Sequence, residues 1–212
     1  MDILSPQLTD YLTNLIPPRV PELQKMEAYA EEHNFPIIGP ICGHLCYVLA
    51  RTLGAKRVYE LGSGYGYSTA WFARAVQENG GGEVHHVVWD EKLSEMARGH
   101  LKVLGYEGIV KYTVAEAVQA LSSSPAGYDI IFMDIDKEGY VKAVPTIYEK
   151  LRSGGLLIVD NILWSGRIFD DKDQSPATST IRELTGVMTN NDRWATSIIP
   201  IRDGLLVAAK LQ

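Results

Sequence analysis

Between Arg57 and Val159 the chain alternates short apolar runs with amphipathic helical patterns, and no other feature of the sequence narrows its fold as much. The expected strands are 58–61, 84–88, 110–113, 130–133 and 156–159, with helical patterns near 68–77, 91–104, 117–121 and 140–151. The runs 130–133 and 156–159, apolar throughout, suit strands buried on both faces, and strands separated by helices pair in parallel. The expected fold class is therefore α/β, a mostly parallel sheet with helices on both faces. The tail breaks the alternation. Residues 194–200 and 205–210 are apolar and are joined by Ile201-Arg202-Asp203-Gly204, where Asp-Gly signals a hairpin and hence a C-terminal antiparallel pair.

Ahead of the alternating region, residues 1–53 read as three helices. Ser5-Pro6 is an N-cap and first-position pair, and Pro17-Pro18 ends that helix. A second helix starts at Pro21 and runs to about Glu32, and a third covers 41–53 after the Gly39-Pro40 break. With no repeat, low-complexity tract or linker, 1–212 reads as one domain, a helical segment (1–53) followed by the α/β core (54–212). The polar run 169–176 is expected to be a mobile loop.

A net charge of −6 lacks the positive field on which non-specific binding to nucleic acid or anionic membranes relies. The start, MDILSPQLTDYL, has neither a basic n-region nor an apolar h-region, and no stretch approaches the roughly 20 apolar residues of a membrane span. A cytoplasmic location without a membrane partner is expected. Cys42 and Cys46 lie four apart on one helix face and read as reduced buried thiols. His85 and His86 point to opposite faces of a strand, so they cannot share an ion, and all five histidines read as structural or solvated.

The sharpest local signal is Val58-Tyr59-Glu60-Leu61-Gly62-Ser63-Gly64-Tyr65-Gly66-Tyr67-Ser68, an apolar strand entering a glycine-rich turn and then a helix. Glycines let the backbone approach a ligand closely, and the helix N-terminus offers free N–H groups to an anion. The spacing is GxGxG, not the GxGxxG of dinucleotide sites, which argues against NAD or FAD. Glu60 ends a buried strand, where its carboxylate needs hydrogen bonds from the turn or a ligand. Glu116, just past the third strand, is placed either to accept from an amino group such as adenine's or to start a helix in solvent.

Two further strands run into acidic or amide side chains: 130–133 into Asp134-Ile135-Asp136-Lys137, and 156–159 into Asp160-Asn161. Ligands of open α/β sheets bind at the carboxyl ends of strands. Two carboxylates and an amide oxygen suit a hard ion with positions left open, Mg²⁺ first and Mn²⁺ or Ca²⁺ next. Taken singly, Asp134 reads equally well as a cap and Asp160-Asn161 as a turn. Lys137 would sit beside the ion, where a neighbouring cation favours the free amine and hence a base, or else it is a solvated lysine.

Together Glu60-Leu61-Gly62, Gly66-Tyr67-Ser68, Asp134-Ile135-Asp136-Lys137, Tyr140, Asp160-Asn161, Trp164, Gly166, Pro200 and Asp203-Gly204 resemble the metal-dependent O-methyltransferase family that includes catechol and caffeoyl-CoA O-methyltransferases. The resemblance runs from about Pro36 to Lys210. It implies a Rossmann-like class I methyltransferase with a seven-stranded sheet, S-adenosylmethionine as donor, a catechol-like small aromatic acceptor and commonly a homodimer. It makes Asp134, Asp160 and Asn161 metal ligands, Lys137 the base, and Asp134 and Lys137 the catalytic pair. The donor contacts it implies are Glu60, the turn of Gly62, Gly64 and Gly66, Ser68 for the methionine carboxylate, Glu116 near adenine, and Asp134.

One departure concerns the ribose. Such relatives usually end the second strand with a glutamate that binds both ribose hydroxyls, and Val88 stands there, followed by Trp89 and Asp90. Asp90 is the candidate replacement; otherwise the ribose lacks an acidic partner. Other readings are a tRNA hydroxyuridine O-methyltransferase, since some bacterial relatives sharing the 27–38 region modify tRNA, a non-catalytic binding protein, and, least of all, a nicotinamide oxidoreductase.

Overall fold

The structure, a computed structural model, describes residues 5–212. Three helices come first, α1 (Pro6–Leu15), α2 (Pro21–His33) and α3 (Gly39–Thr52). Strands and helices then alternate as expected: β1 (Arg57–Leu61), α4 (Tyr67–Glu78), β2 (Glu83–Val88), α5 (Glu91–Val103), β3 (Val110–Val114), α6 (Ala117–Ser123), β4 (Tyr128–Met133), α7 (Tyr140–Lys150) and β5 (Leu151–Val159). A helix α8 (Pro176–Thr189) and the hairpin of β6 (Trp194–Ile199) and β7 (Leu205–Lys210) complete the chain. The first four residues of the expected 1–212 domain and 1–53 helical segment lie outside the described residues. Ser5 caps α1 as its sequence implies, its hydroxyl accepting from Leu8 N at 3.3 Å.

The seven strands form one sheet in the order β3-β2-β1-β4-β5-β7-β6. Neighbours from β3 to β5 are parallel, while β7 is antiparallel to both β5 and β6, so β7 alone is reversed. Alternate residues face opposite layers. Val58, Ile130, Phe132 and Ile158 pack with helices α2 to α5, whereas Tyr59, Ile131, Met133 and Val159 pack with α6 to α8. The chain runs outward from β1 through β2 to β3 and then returns to β4 on the other side of β1. That reversal opens a crevice at the carboxyl ends of β1 and β4. Among the described residues no helix is long and apolar enough to cross a membrane.

Two features differ from expectation. Helix α8 had no counterpart in the pattern reading, although it buries Thr178, Ile181, Leu184 and Met188 along one stripe. The polar run 169–176 is not a loose loop but is tied down. Asp173 holds Arg167 and Thr178, and the Arg182 guanidinium donates to the carbonyls of Arg167, Ile168, Asp170 and Asp173. Cys42 and Cys46 are free and buried, and burial pushes the Cys42 thiol up to about 12, which makes both inert packing groups.

Candidate active site

Backbone ladders carry on one step past the strands and set the site in a row. Ser63 N donates to Val87 O (3.0 Å), Asp134 N to Leu61 O (2.8 Å) and Asp160 N to Met133 O (3.1 Å). Gly62, Asp134 and Asp160 therefore emerge side by side from β1, β4 and β5, at the edge of a cleft of about 940 Å³. That volume lies near the top of the range for small-molecule sites, about 300–1,000 Å³, and has room for two ligands side by side.

On the β1 side, Gly62, Gly64 and Gly66 all have left-handed backbone, with φ of 87°, 51° and 91°. At Gly62 the need for glycine is steric as well as conformational. A Cβ there would lie 2.8 Å from the Asp134 carbonyl carbon and closer still to its oxygen. The turn delivers the chain into α4, whose first turn holds Ser68, buried and lining the cleft. Beneath the turn, Glu60 is fully buried and accepts from Thr69 Oγ1 at 2.5 Å, and Thr69 Oγ1 lies 3.0 Å from His86 Nδ1. Burial pushes the Glu60 carboxyl up to about 7 against the hydroxyls of Ser68, Thr69 and Ser63, and it pushes His86 down to about 3. Glu60 thus anchors α4 under the turn and does not line the cleft.

On the β4 and β5 side, oxygen donors surround one ammonium. Lys137 Nζ lies 2.9 Å from Asp134 Oδ1, 2.8 Å from Asn161 Oδ1 and 2.7 Å from the Tyr140 hydroxyl, which in turn donates to the Asp160 carbonyl at 3.1 Å. Burial and the Asp134 and Asp160 charges hold the Tyr140 phenol far above its ordinary range, so it stays a neutral link. Asp160 is buried, and desolvation and the charge of Asp134 raise its carboxyl; the guanidinium of Arg202, 3.0 Å from Oδ2, opposes them. Its Oδ1 has no hydrogen-bond partner among the described residues. Among the described residues there is no cluster of three His, Cys, Asp or Glu side chains suited to a metal.

Glu116 lines the cleft, yet both its oxygens cap α6 by accepting from Val118 N and Gln119 N. Asp90 caps α5 through Leu93 N at 3.0 Å and is not among the cleft-lining residues; Val88 and the exposed Trp89 line the cleft instead. Sequence reasoning passed over Arg202, and it took Asp203 only as part of a hairpin turn and of the family resemblance, with no functional role. A usable signal existed. A strand pairing antiparallel to β5 must be preceded by a turn at β5's carboxyl end, where Asp160 and Asn161 stand.

Comparison with known proteins identifies relatives of this chain. A model of the O-methyltransferase family matches residues 17–211. A catechol O-methyltransferase of Niastella koreensis is 28% identical over 166 residues, 76% of this chain and 74% of the relative. A catechol O-methyltransferase of Mycobacterium tuberculosis is 32% identical over 143 residues, 67% of this chain and 64% of that one. Among solved structures, the O-methyltransferase TomG of Streptomyces achromogenes, crystallised with S-adenosylmethionine, superimposes with a TM-score of 0.86 at 22% identity, covering 97% of this chain and 96% of TomG. Its likeness establishes the Rossmann-like fold. With the family model spanning nearly the whole chain, this protein belongs to the O-methyltransferase family.

Proposed function

We propose that the protein, acting as one domain over 1–212, transfers a methyl group from S-adenosylmethionine to a hydroxyl of a catechol-like small aromatic molecule with the help of a divalent ion. The observation that carries this reading is the meeting, in one cleft, of the glycine turn with Asp134, Asn161 and Asp160 around Lys137.

The donor fits the β1 side. Gly62 and Gly64 line the cleft, Gly66 packs instead against Ala97 and Leu101, and the first turn of α4 offers N–H groups and Ser68 to a carboxylate. When bound, S-adenosylmethionine supplies an electrophilic methyl on its sulfonium. Val88 and Trp89 give the β2 end of the cleft an apolar wall. Asp90 caps its helix through Oδ1 and does not line the cleft, and on this reading the ribose has no acidic partner from this strand.

A hard divalent ion fits the β4 and β5 side. A cation, the Lys137 ammonium, already sits against the Asp134 and Asn161 oxygens, and Asp160 keeps one buried oxygen without a partner. These are the oxygen donors Mg²⁺ or Mn²⁺ takes, Asp134, Asp160 and Asn161. When bound, such an ion acts as Lewis acid and template for two neighbouring hydroxyl oxygens. Lys137 would take the hydroxyl proton as the free amine, not as the ammonium that pairs with Asp134, with Tyr140 2.7 Å from its Nζ. Trp164, its ring 5.8 Å from Lys137 Nζ, lines the same cleft as Pro36 and Ile37 and would offer apolar surface to an aromatic ring.

The basic groups of the cleft do not form a surplus patch for RNA. Lys137 and Arg202 are each paired with an aspartate, and Glu116 and Asp136 line the same cleft as Lys142. Transfer of labelled methyl to a panel of catechols and to undermodified tRNA, with calorimetry of the donor, tests the assignment. Methylated catechols and donor binding are expected. Transfer to tRNA alone, or binding of NAD without S-adenosylmethionine, would overturn it.

A further inference from the structure

We infer that the turn between β6 and β7 is a positioning clamp, in which Arg202 and Asp203 orient two of the proposed metal ligands, Asp160 and Asn161, so that each presents a single oxygen. The inference rests on the metal reading above. Its first basis is register. Leu206 on β7 pairs with Val159 on β5, so the residues entering β7 lie against those leaving β5. Backbone bonds hold the two segments together there: Ile162 N donates to Gly204 O (3.1 Å) and Leu163 N to Asp203 O (2.9 Å).

The second basis is the matching of neighbours. Adjacent residues of one segment, Asp160 and Asn161, are gripped by adjacent residues of the other with opposite chemistry. Arg202 Nη1 donates to Asp160 Oδ2 at 3.0 Å, which leaves Oδ1, buried and without a partner among the described residues, as the oxygen on offer. Asn161 Nδ2 donates to Asp203 Oδ2 at 3.0 Å, which settles the amide and turns its oxygen toward Lys137 Nζ, 2.8 Å away. The other Asp203 oxygen accepts from Ser165 N, so the carboxylate that orients the amide is itself held at both ends. Asn161 and Arg202 both have left-handed backbone, φ 60° and 51°, a conformation that a non-glycine residue keeps when its surroundings enforce it.

A ligand orientation of this kind selects among ions. Ca²⁺ takes six to eight oxygens and readily accepts both oxygens of one carboxylate, whereas Mg²⁺ requires octahedral single-oxygen ligands. With Oδ2 occupied by a guanidinium, Asp160 cannot bind side-on. Arg202 therefore favours the smaller ion, and Asp203 keeps the amide from presenting its NH₂ group instead.

The test is metal binding by the full chain with no donor or acceptor present, so that it does not depend on turnover. Mn²⁺ is titrated by electron paramagnetic resonance and displaced with Mg²⁺ or Ca²⁺, while circular dichroism melts check folding. Asp203→Ala should weaken Mg²⁺ by about 10- to 100-fold, the usual loss when a partner behind a metal ligand is removed. Arg202→Met should raise the Ca²⁺-to-Mg²⁺ affinity ratio by about tenfold as side-on binding becomes available. Arg202→Lys should return the ratio toward wild type, and Asp203→Asn should keep part of the Mg²⁺ affinity, a pattern that general loosening would not give. Wild-type affinity and ratio in both Asp203→Ala and Arg202→Met would overturn the clamp alone. A wild-type chain that binds neither ion would overturn the metal reading and the clamp with it.

Discussion

Replacing Gly62 by alanine tests the point where the proposed donor turn touches the proposed metal strand. Two costs add at this position. A left-handed conformation costs a non-glycine residue about 1–2 kcal/mol, and φ at Gly62 is 87°. The new methyl would also lie 2.8 Å from the Asp134 carbonyl carbon, so the end of β4 must shift, and overpacking of that kind costs about 1–3 kcal/mol. The sum is roughly 2–5 kcal/mol, and at about 2–4 °C per kcal/mol for a chain of this size the melting temperature should fall by roughly 4–20 °C. Gly54 supplies the control, because its φ is 62° but nothing lies within 4 Å of an added Cβ. Gly54→Ala carries the conformational cost alone, about 1–2 kcal/mol. Thermal and urea unfolding of the two variants, with calorimetry of S-adenosylhomocysteine, should find Gly62→Ala the less stable by roughly 1–3 kcal/mol and the only one with weakened ligand binding. Equal destabilisation of the two would refute the close approach of the turn to Asp134.

Other outcomes follow from the same geometry. Burial holds the Glu60 carboxyl at about 7, above its ordinary 4.5, so the folded state keeps the proton that the unfolded chain has lost. That contribution to stability is present below about pH 4.5 and disappears as pH rises through about 7; Glu60→Gln should therefore gain in urea midpoint relative to wild type between pH 5 and 8, and a constant gap would count against it. Asp90→Ala removes the α5 cap and should cost about 1 kcal/mol in stability while leaving donor affinity unchanged by calorimetry; a weakened donor would place Asp90 on the ribose. Lys137→Met should lower the methyl-transfer rate without loss of Mn²⁺ binding, and the deficit should shrink at high pH, where the acceptor ionises unaided; a pH-independent deficit would remove Lys137 as the base.

The sheet was legible because its strands are short and punctuated by turns, with β4 and β5 ending in fully apolar runs, so pattern alone located β1 to β5 and the final hairpin, although β5 begins at Leu151, ahead of the expected 156. Helix α8 was not. Its threonines, Thr178, Thr180, Thr185 and Thr189, lower helix propensity and blur the apolar stripe. Even so, Ser175-Pro176 repeats the start signal of α1, and the buried positions 178, 181, 184 and 188 keep helical spacing. At the site, Asp134, Asp160, Asn161 and Lys137 stood out as polar groups at the ends of apolar strands. Arg202 and Asp203 did not, since a charged pair in a hairpin turn is ordinary until strand pairing sets it against β5. Asp90 and Glu116 illustrate the opposite case: an acid following a strand also begins a helix, Asp90 capping α5 through Oδ1 and Glu116 capping α6 through both oxygens.

The central claim is metal-assisted methyl transfer, and mass spectrometry of a catechol incubated with the enzyme and S-adenosylmethionine tests it most directly. Product gaining a single methyl should form with Mg²⁺, vanish in excess chelator and return when Mg²⁺ or Mn²⁺ is restored, while Asp160→Ala stays inactive under every condition. Undiminished product in chelator, with Asp134, Asp160 and Asn161 intact, would contradict the account.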